Sequence, residues 1–438
     1  MAYIYKMGRN ILQNNHFIYY ITCIYFGVLL FILAFYNYTP TNDGDGYIEF
    51  AKVCINSNQA YPCMALIQGQ PFIWNIGSIN LVYLSLILFN SLYPLLILLC
   101  LLKAFTALLI GKITQKLFNT QIANISIILY VFYPNNLGQS TTILSEIPMI
   151  CMALAALYIA ITQEKIWCFL ISGIIFGLAN WFRPIGIVFL GTIILYIIFF
   201  QKTNKTKKIT SLCCGYILFI ATVGIECYHR TGYFLYQAES LWFNMAEATY
   251  EPSVAPQYGT DPYPKGTIRY IDKMQEKTAI ECNEIWKERS LKWLKRHSLE
   301  YLGKIPGRLI YMYYNDMDNL SAFLSNKKNA ENNYITLPYR NIIKDFFHLS
   351  RIQYFALYNW IYYLIILILS FLGTFILLKY REYGKAFIPL MIVIGGSISL
   401  VLAIHGETRF KAPFMPFIFI LAAVTITHYM NKNKIKQL

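Results

Sequence analysis

The chain has 438 residues, of which 57% are hydrophobic, 17% aromatic and only 13% charged. This composition excludes an ordinary soluble globular domain and predicts an all-α protein that crosses a membrane several times. The formal net charge is +15, which in a soluble protein would suggest a nucleic-acid partner. Here most lysines and arginines flank apolar runs, so the excess is explained by topology and we expect no nucleic acid.

Apolar runs of spanning length recur along the chain, since about 18 or more apolar residues cross roughly 30 Å of hydrocarbon. The sequence predicts about ten spans, at residues 17–37, 93–112, 121–134, 143–163, 166–182, 184–201, 209–228, 356–378, 386–404 and 412–430. No small-residue cleavage site follows the first, so we expect it to be retained. A further run, Ile76–Phe89, is short for a span and suits a re-entrant or interfacial segment.

The distribution of cations tests this choice of spans. If Ile76–Phe89 does not cross, one side receives Lys6 and Arg9, the sequence "QKTNKTKK" at 201–208 and the lysines near the C-terminus. The short loops on the other side receive few cations, which is the positive-inside pattern. It predicts that both termini are cytoplasmic and that the loop after the first span lies outside. The Lys- and Ile-rich composition favours a location in a bacterial inner membrane.

Three parts follow from this topology. Residues 1–228 form an N-terminal transmembrane module, with a first outer loop at 38–75 and the re-entrant segment at 76–90. Residues 229–355 form a mostly helical extracytoplasmic loop domain, and residues 356–438 form a C-terminal transmembrane module.

The loop domain contains a basic helical stretch with its large apolar side chains near one face. These side chains are Trp286, Trp293, Leu294 and Tyr301. A basic amphipathic helix with tryptophans fits a membrane surface with anionic headgroups. Alternatively, the same face packs the loop onto the membrane domain, and the two alternatives are compatible.

The 10 cysteines form no CxxC pair. Most of them fall in or beside apolar runs and are expected to be packing residues. Cys54 and Cys63 share one hydrophilic loop. A disulfide between them is plausible if that loop faces an oxidising compartment.

Ionisable residues from distant parts of the chain are predicted to lie at the outer ends of spans. They are Asp43, Asp45, Glu146, Arg183, Glu407, Arg409 and Lys411. Ionisable side chains at membrane depth are costly, and those present usually face a cavity or a partner. The pattern therefore predicts one cavity that opens outward. Its carboxylates would transfer a proton or bind a metal ion, and its cations would bind an anionic ligand.

Each of these residues has a structural alternative. An acid in a Gly-rich loop is commonly a turn residue, Glu146 suits a helix N-terminus, and Arg183 could extend to the headgroups. Glu407 and Arg409 could pair with each other. The spacing of Asp43 and Asp45, with glycine between them, would let both carboxylates turn toward one cation, for which oxygen ligands favour Mg²⁺ or Mn²⁺.

The order of these residues is more specific than any one of them. The motifs are Asp43-Gly-Asp-Gly-Tyr47 followed by Ala51, Tyr133-Pro134, Ser145-Glu146, Arg183-Pro184-Ile185-Gly186, and Glu407 through Phe410 followed by Pro413 and Pro416. In this order the chain resembles the GT-C class of integral-membrane glycosyltransferases, nearest to the branch of the protein O-mannosyltransferases and the lipid A aminoarabinose transferases. Asp45 is an extra acid relative to that pattern, and the long loop matches no motif of the class.

The resemblance implies transfer of a sugar from a polyprenyl-phosphate donor to an extracytoplasmic acceptor, by a single displacement that inverts the anomeric carbon. Asp43 is then the candidate base, and Asp45 and Glu146 hold a divalent cation or orient the acceptor. The substrate-binding candidates are Tyr47, Arg183, Glu407, Arg409 and Lys411. Two other functions stay open: an O-antigen-type polymerase or ligase that uses a diphosphate-linked oligosaccharide, and a transporter of lipid-linked substrate.

Overall fold

A computed structural model describes residues 12–69, 72–250, 265–325 and 346–435 without residue 405, together with the single residues 337, 342 and 344. The predicted loop domain is therefore described in part. Lys6 and Arg9, which entered the topology argument, lie outside the described residues, and so do residues 436–438.

The described chain is built from α-helices joined by short turns, with one isolated β-bridge between Gln68 and Thr278. In chain order the helices are α1 (Phe17–Tyr36), α2 (Asn42–Asn56), α3 (Ile76–Phe89), α4 (Tyr93–Leu117), α5 (Thr120–Val131), α6 (Pro134–Gly138), α7 (Glu146–Thr162), α8 (Ile166–Phe182), α9 (Ile187–Phe200), α10 (Lys205–Thr231), α11 (Leu241–Tyr250), α12 (Ala279–Gly303), α13 (Ile305–Tyr313), α14 (Asp318–Ser325), α15 (Arg351–Lys379), α16 (Tyr383–Leu390), α17 (Gly396–Ala403) and α18 (Met415–Ile435). The predicted all-α membrane fold is confirmed.

A helical segment stands at each of the ten predicted spans, but not all have spanning length. Six are long and apolar enough to cross a membrane: α1, α4, α10, α15, the combined α16–α17, and α18 with the turn before it. Helices α5, α8 and α9 are shorter, and α7 makes a bent pair of 115° with Pro134–Thr141. Pro134 accounts for the short α5, because proline cannot continue a helix begun before it. The full number of crossings stays a prediction.

Helices α4 and α18 form the centre of the bundle. Their apolar windows are 61% and 83% buried inside the protein, against 22% for α1 and 17% for α10. A helix that is apolar all round and largely covered by other helices belongs to the core. These two helices are therefore the most enclosed part of the bundle.

The predicted first outer loop is largely a helix. Thr41 caps α2, since its Oγ1 accepts a hydrogen bond from the backbone N–H of Gly44 at 3.0 Å. Asp43 and Asp45 stand in the first turn, where the helix dipole favours negative charge. The glycines serve close packing: a Cβ on Gly46 would lie 2.6 Å from the ring of Trp74. Helix α2 thus packs closely against the residues around it.

The large apolar face of the loop domain packs inside that domain. Helix α12 begins at a capping box formed by Thr278 and Glu281. Trp286 is 1% exposed and its Nε1–H donates to the carbonyl of Arg269 at 3.0 Å. Tyr301 is 4% exposed and packs with α11. Trp286 is thus enclosed inside the loop domain, and Tyr301 also donates to the carbonyl of Leu402 in the bundle, which is the predicted packing of the loop onto the membrane domain. Contact of this helix with a membrane surface stays a prediction.

The loop domain is tied to one end of the bundle. Arg308, 1% exposed, donates from Nη1 to the carbonyl of Val401 at 3.0 Å, and Tyr301 donates to the carbonyl of Leu402 at 2.9 Å. The backbone N–H of Ala279 donates to Ile67 at 2.7 Å, which joins the same domain to the segment after α2. We call this end of the bundle, where residues 38–69, 72–75, 229–250 and 265–325 lie, the polar end.

The two cysteines proposed for a disulfide lie side by side. Cys54 and Cys63 are buried thiols whose Sγ atoms are 3.9 Å apart. A buried thiol behaves as a small apolar side chain. The disulfide between them stays a prediction.

Replacement of Gly46 tests the close approach to Trp74. We expect Gly46→Ala to destabilise the protein by roughly 1–3 kcal/mol, because an added methyl group overpacks this contact. The matched control is Gly303→Ala at the end of α12, where a Cβ would meet nothing within 4 Å and alanine favours the helix by up to about 1 kcal/mol. Thermal unfolding of both purified variants measures the difference. A Gly46→Ala protein as stable as wild type would contradict this packing.

Candidate active site at the polar end

An ion pair at the polar end joins α2 to the turn before α18. Arg409 donates from Nη1 to Oδ2 of Asp43 at 2.8 Å, and its Nε lies 2.8 Å from Oε1 of Glu407. Asp43 comes from the first turn of α2, and Arg409 from the 3₁₀ turn Thr408–Phe414 before α18. The side chain of Arg409 is 29% exposed and that of Asp43 is 17% exposed. The pair is thus partly enclosed but still accessible to a ligand.

A second ion pair stands beside it. Glu146 is the first residue of α7, and Arg183 is the extended residue that directly follows α8. Nη1 of Arg183 donates to Oε1 of Glu146, whose side chain is only 5% exposed. Ser145 donates to the other carboxylate oxygen at 3.2 Å. Glu146 is therefore a buried carboxylate that an arginine and a hydroxyl hold in place.

The ring of Phe410 connects the two ion pairs. The guanidinium carbons of Arg183 and Arg409 lie 5.8 Å and 5.9 Å from its centroid. Cations within about 6 Å of an aromatic face are attracted by it. Both arginines therefore belong to one group with their carboxylate partners. We call it the polar cluster: Asp43, Glu146, Arg183, Glu407 and Arg409.

Tyr47 supports the cluster from behind. It is fully buried, and its hydroxyl donates to Oγ of Ser145 at 3.3 Å. Asn75 donates to the Tyr47 hydroxyl at 3.0 Å and to Ser145 at 3.2 Å. Burial, and after it the charges of Asp43 and Glu146, raise the pKa of Tyr47 well above its usual range. In the structure the buried hydroxyl of Tyr47 contacts Ser145 and Asn75, and the predicted binding of substrate by Tyr47 stays a prediction. Asn75 was not identified from the sequence.

Asp45 has a partner of its own. The hydroxyl of Tyr38 donates to its Oδ1 at 2.7 Å, and burial together with this bond raises the pKa of Tyr38. Residues two apart on a helix do not face each other, so Asp43 and Asp45 reach different neighbours. The prediction of one cation between them rested on a flexible loop that the structure replaces with a helix. Within the described residues, no group of three His, Cys, Asp or Glu side chains is arranged for a metal.

Lys411 is not where its predicted role requires it. Its side chain is fully buried, with Nζ 3.1 Å from Oδ1 of Asp316 and donating to the carbonyls of Asn315 and Thr408. Tyr133 donates to the other oxygen of Asp316. The correction follows from this enclosure: Lys411 holds the turn that carries Arg409 and does not face the polar cluster. No sequence motif marked Asp316 as its partner.

The chemistry available to the polar cluster follows from its charges. Two arginines present guanidinium groups that bind phosphate or carboxylate oxygens in a fork. Asp43 is a carboxylate within reach of the same place and suits a proton acceptor. Each arginine is now neutralised by an acid, so an anionic ligand would exchange with a carboxylate.

Comparison with known proteins supports the resemblance. The sequence pattern of the family described as "Dolichyl-phosphate-mannose-protein mannosyltransferase" matches residues 79–225. A search of curated protein sequences found no match. The matched part runs from within α3 to within α10 and includes Glu146 and Arg183 of the polar cluster.

The fold is similar to that of the oligosaccharyltransferase of Archaeoglobus fulgidus. Its apo crystal structure matches with a TM-score of 0.50 at 11% identity, over 97% of this chain and 52% of that chain. The archaeal enzyme AglB in complex with an inhibitory peptide and a dolichol-phosphate matches with a TM-score of 0.51 at 10% identity, over 96% and 51%. This chain thus spans about half the length of the proteins it matches. The resemblance to GT-C glycosyltransferases is confirmed.

The pair of Glu146 and Arg183 provides a test of the cluster's energetics. Arg183→Gln is expected to cost about 3–5 kcal/mol of unfolding free energy, because it leaves a buried carboxylate without its cation. The double variant with Glu146→Gln should cost clearly less than the sum of the two single variants, with a coupling of roughly 1–3 kcal/mol. Denaturant or thermal unfolding of the four proteins in detergent measures this. Additive effects would show that the two groups do not interact.

Proposed function

We propose that the protein is a membrane glycosyltransferase that moves a sugar from a polyprenyl-phosphate donor to an acceptor at the polar end of the bundle. The observation that carries the proposal is the polar cluster, in which two arginines and a candidate base share one accessible place. The fold supports the class of enzyme, and the matched family description supports a lipid-phosphate sugar donor.

The proposed topology puts the polar end outside the cytoplasm. The lysine-rich turn between α9 and α10 and the cations after α15 stand at the opposite end of their helices, as the positive-inside rule expects of a cytoplasmic face. A bacterial inner membrane fits this arrangement. A donor anchored by its lipid would then present its phosphate at headgroup depth, beside the polar cluster.

Donor binding would free the base. A phosphate that takes the guanidinium of Arg409 competes directly with Asp43, whose Oδ2 now accepts from Nη1. The released carboxylate is then able to take the proton of the acceptor hydroxyl as that oxygen attacks the anomeric carbon. The bond from the anomeric carbon to the phosphate oxygen breaks in the same step, and the electron pair leaves with the polyprenyl phosphate. Arg183 and Arg409 neutralise the charge that develops there.

Three other acids would position the groups that take part in this step. Glu146 holds Arg183 in place and Glu407 holds Arg409, so both set where the phosphate lies. Asp45 is available to orient the acceptor if Tyr38 moves. A divalent cation, Mg²⁺ or Mn²⁺, bound by Asp43 or Asp45 would add positive charge against the phosphate. An archaeal relative of this fold crystallised as a complex with Zn and sulfate.

Replacement of Asp43 tests the proposed base. We expect Asp43→Asn to lower transfer at least about 100-fold, since a positioned base contributes roughly 10²–10⁴-fold. The matched control is Glu49→Gln, an exposed carboxylate on the same helix, which should keep wild-type activity. The assay follows loss of labelled polyprenyl-phosphate sugar with purified protein. Full turnover by Asp43→Asn would remove it as the base, and use of only a diphosphate-linked oligosaccharide would contradict the proposed donor.

Replacement of Arg409 tests the phosphate site. A hydrogen bond to a charged group contributes about 1.5–3 kcal/mol, so we expect Arg409→Ala to raise the donor KM by roughly 10-fold to 100-fold. Lys52→Ala is the control, because Lys52 is an exposed cation on α2 outside the cluster. Donor saturation curves distinguish the two variants. Unchanged saturation with Arg409→Ala would place the phosphate elsewhere.

A further inference from the structure

Helix α13 of the loop domain lies beside two helices that are long enough to cross a membrane. The hydroxyls of Tyr313 on α13 and Ser397 on α17 are 2.7 Å apart. From α15, Tyr363 donates to the carbonyl of Tyr313 at 3.1 Å, and Trp360 donates to that of Tyr314 at 2.9 Å. Ser397 stands six residues before the end of α17, and Trp360 nine residues after the start of α15. At 1.5 Å per residue these contacts lie about 9 and 14 Å inside the two helices, so α13 reaches the depth of the bundle.

The outer face of α13 and of the end of α12 is apolar and uncovered. On α13, Arg308 and Met312 are buried, whereas Ile310 is 71% exposed. In the last turns of α12, Leu299 is 83% exposed and Leu302 is 49% exposed. Residues three apart on a helix share a face, and uncovered apolar surface marks a site of interaction. We call Leu299, Leu302 and Ile310 the apolar edge.

The apolar edge begins where an uncovered row of α17 ends. Ile394, Ile398 and Leu402 are exposed at a spacing of four residues, which puts them on one side of the combined helix α16–α17. Because this helix is long and apolar enough to cross a membrane, such a row suits contact with acyl chains. The carbonyl of Leu402 accepts a hydrogen bond from Tyr301, the residue before Leu302. The apolar edge thus continues the apolar surface of a crossing helix.

Three exposed cations precede the two leucines on the same side of α12. They are Lys292, Lys295 and Arg296. Within the part of the chain that the structure describes, none of the three forms an ion pair. The acids nearest in sequence are Glu288, one turn earlier, and Glu300, which Lys304 already engages at 3.8 Å. This side of α12 is therefore positive, and its charge is uncompensated next to the apolar edge.

An anionic phospholipid is complementary to both parts of this surface. Its phosphate matches the cations, and its acyl chains match the leucines and the isoleucine, as in helices that lie in the interface plane of a membrane. The face in question is opposite to that of Trp286 and Tyr301, which is buried. Packing inside the loop domain and contact with lipid therefore use different sides of α12.

We propose that the end of α12 and helix α13 form a docking surface for anionic phospholipids of the surrounding bilayer. The apolar edge enters the boundary between headgroups and acyl chains, and the three cations bind the phosphates of neighbouring lipids. A Cβ on Gly406 would collide with the backbone of Arg308, so α13 is seated directly against the chain that leads to Arg409. The inference uses the membrane-crossing helices and does not depend on the proposed reaction.

Spin labelling tests whether the apolar edge enters the bilayer. The full chain is reconstituted in vesicles of phosphatidylcholine and phosphatidylglycerol, with its exposed and half-exposed cysteines replaced by serine: Cys23, Cys213 and Cys214. Nitroxides at Leu299→Cys and Ile310→Cys are expected to collide more with oxygen than with a water-soluble nickel chelate. The matched control is Glu276→Cys, an exposed position elsewhere in the loop domain, which should show the reverse. Labels at 299 and 310 as open to the chelate as the control would overturn the proposal and leave the face to a protein partner.

Removal of the cations tests the choice of lipid. The triple variant Lys292→Gln, Lys295→Gln and Arg296→Gln is expected to bind fluorescent phosphatidylglycerol at least about 10-fold more weakly than wild type, since each cation near an anionic surface strengthens binding roughly 5-fold. Added salt should weaken binding by wild type too. The matched control removes the same charge from three other lysines of the loop domain: Lys265, Lys273 and Lys287. It should bind as wild type does.

Each outcome supports or contradicts the docking surface. A selective loss in the triple variant, together with buried labels, supports it. Wild-type binding by the triple variant overturns the role of the cations even if the labels are buried. An equal loss in the control shows attraction by net charge alone and overturns the assignment to α12. The substituted side chains are exposed, so all variants are expected to keep the unfolding temperature of wild type.

Discussion

The ion pair between Asp43 and Arg409 is the contact on which the polar end depends. The two residues are 366 positions apart, so the pair closes the bundle between its first and last parts. Neither residue is free to move alone, since Thr41 caps the helix of Asp43 and Lys411 holds the turn of Arg409. A rigid frame around a partly accessible pair is the preorganisation that electrostatic catalysis needs.

Each of four acids at this end has a cationic partner, and two of them share Arg409. Glu146 pairs with Arg183, Asp316 with Lys411, and both Asp43 and Glu407 with Arg409. In a helical bundle an uncompensated charge would destabilise the fold, so the pairs keep the site stable before any ligand arrives. In the proposed mechanism each arginine releases a carboxylate when it binds the donor phosphate. That exchange would link donor binding to the availability of Asp43, the proposed base.

Lys103 follows a different rule. Its partners are the amide oxygens of Asn136 and Gln139, which stabilise an ammonium without cancelling its charge.

The amino-acid sequence by itself determined the fold class, the places of the helices and most members of the polar cluster. Apolar runs report membrane helices directly, and ionisable residues beside them are rare enough that Asp43, Glu146, Arg183 and Arg409 could be picked out. The limits of this reasoning appear at Asp45. Its spacing from Asp43 suggested a shared cation, but a capped helix turns the two carboxylates to different partners.

Only the tertiary structure decided which charged residues meet. Lys411 is two residues from Arg409 and was assigned the same role, yet it is buried against Asp316. Lys103, Asn75 and Asp316 have no motif, because their importance comes from neighbours distant in the chain. The face of Trp286 and Tyr301 likewise suited a membrane surface and is buried in the loop domain. Spacing along a chain sets which residues share a helix face, whereas pairing across helices depends on how the helices pack.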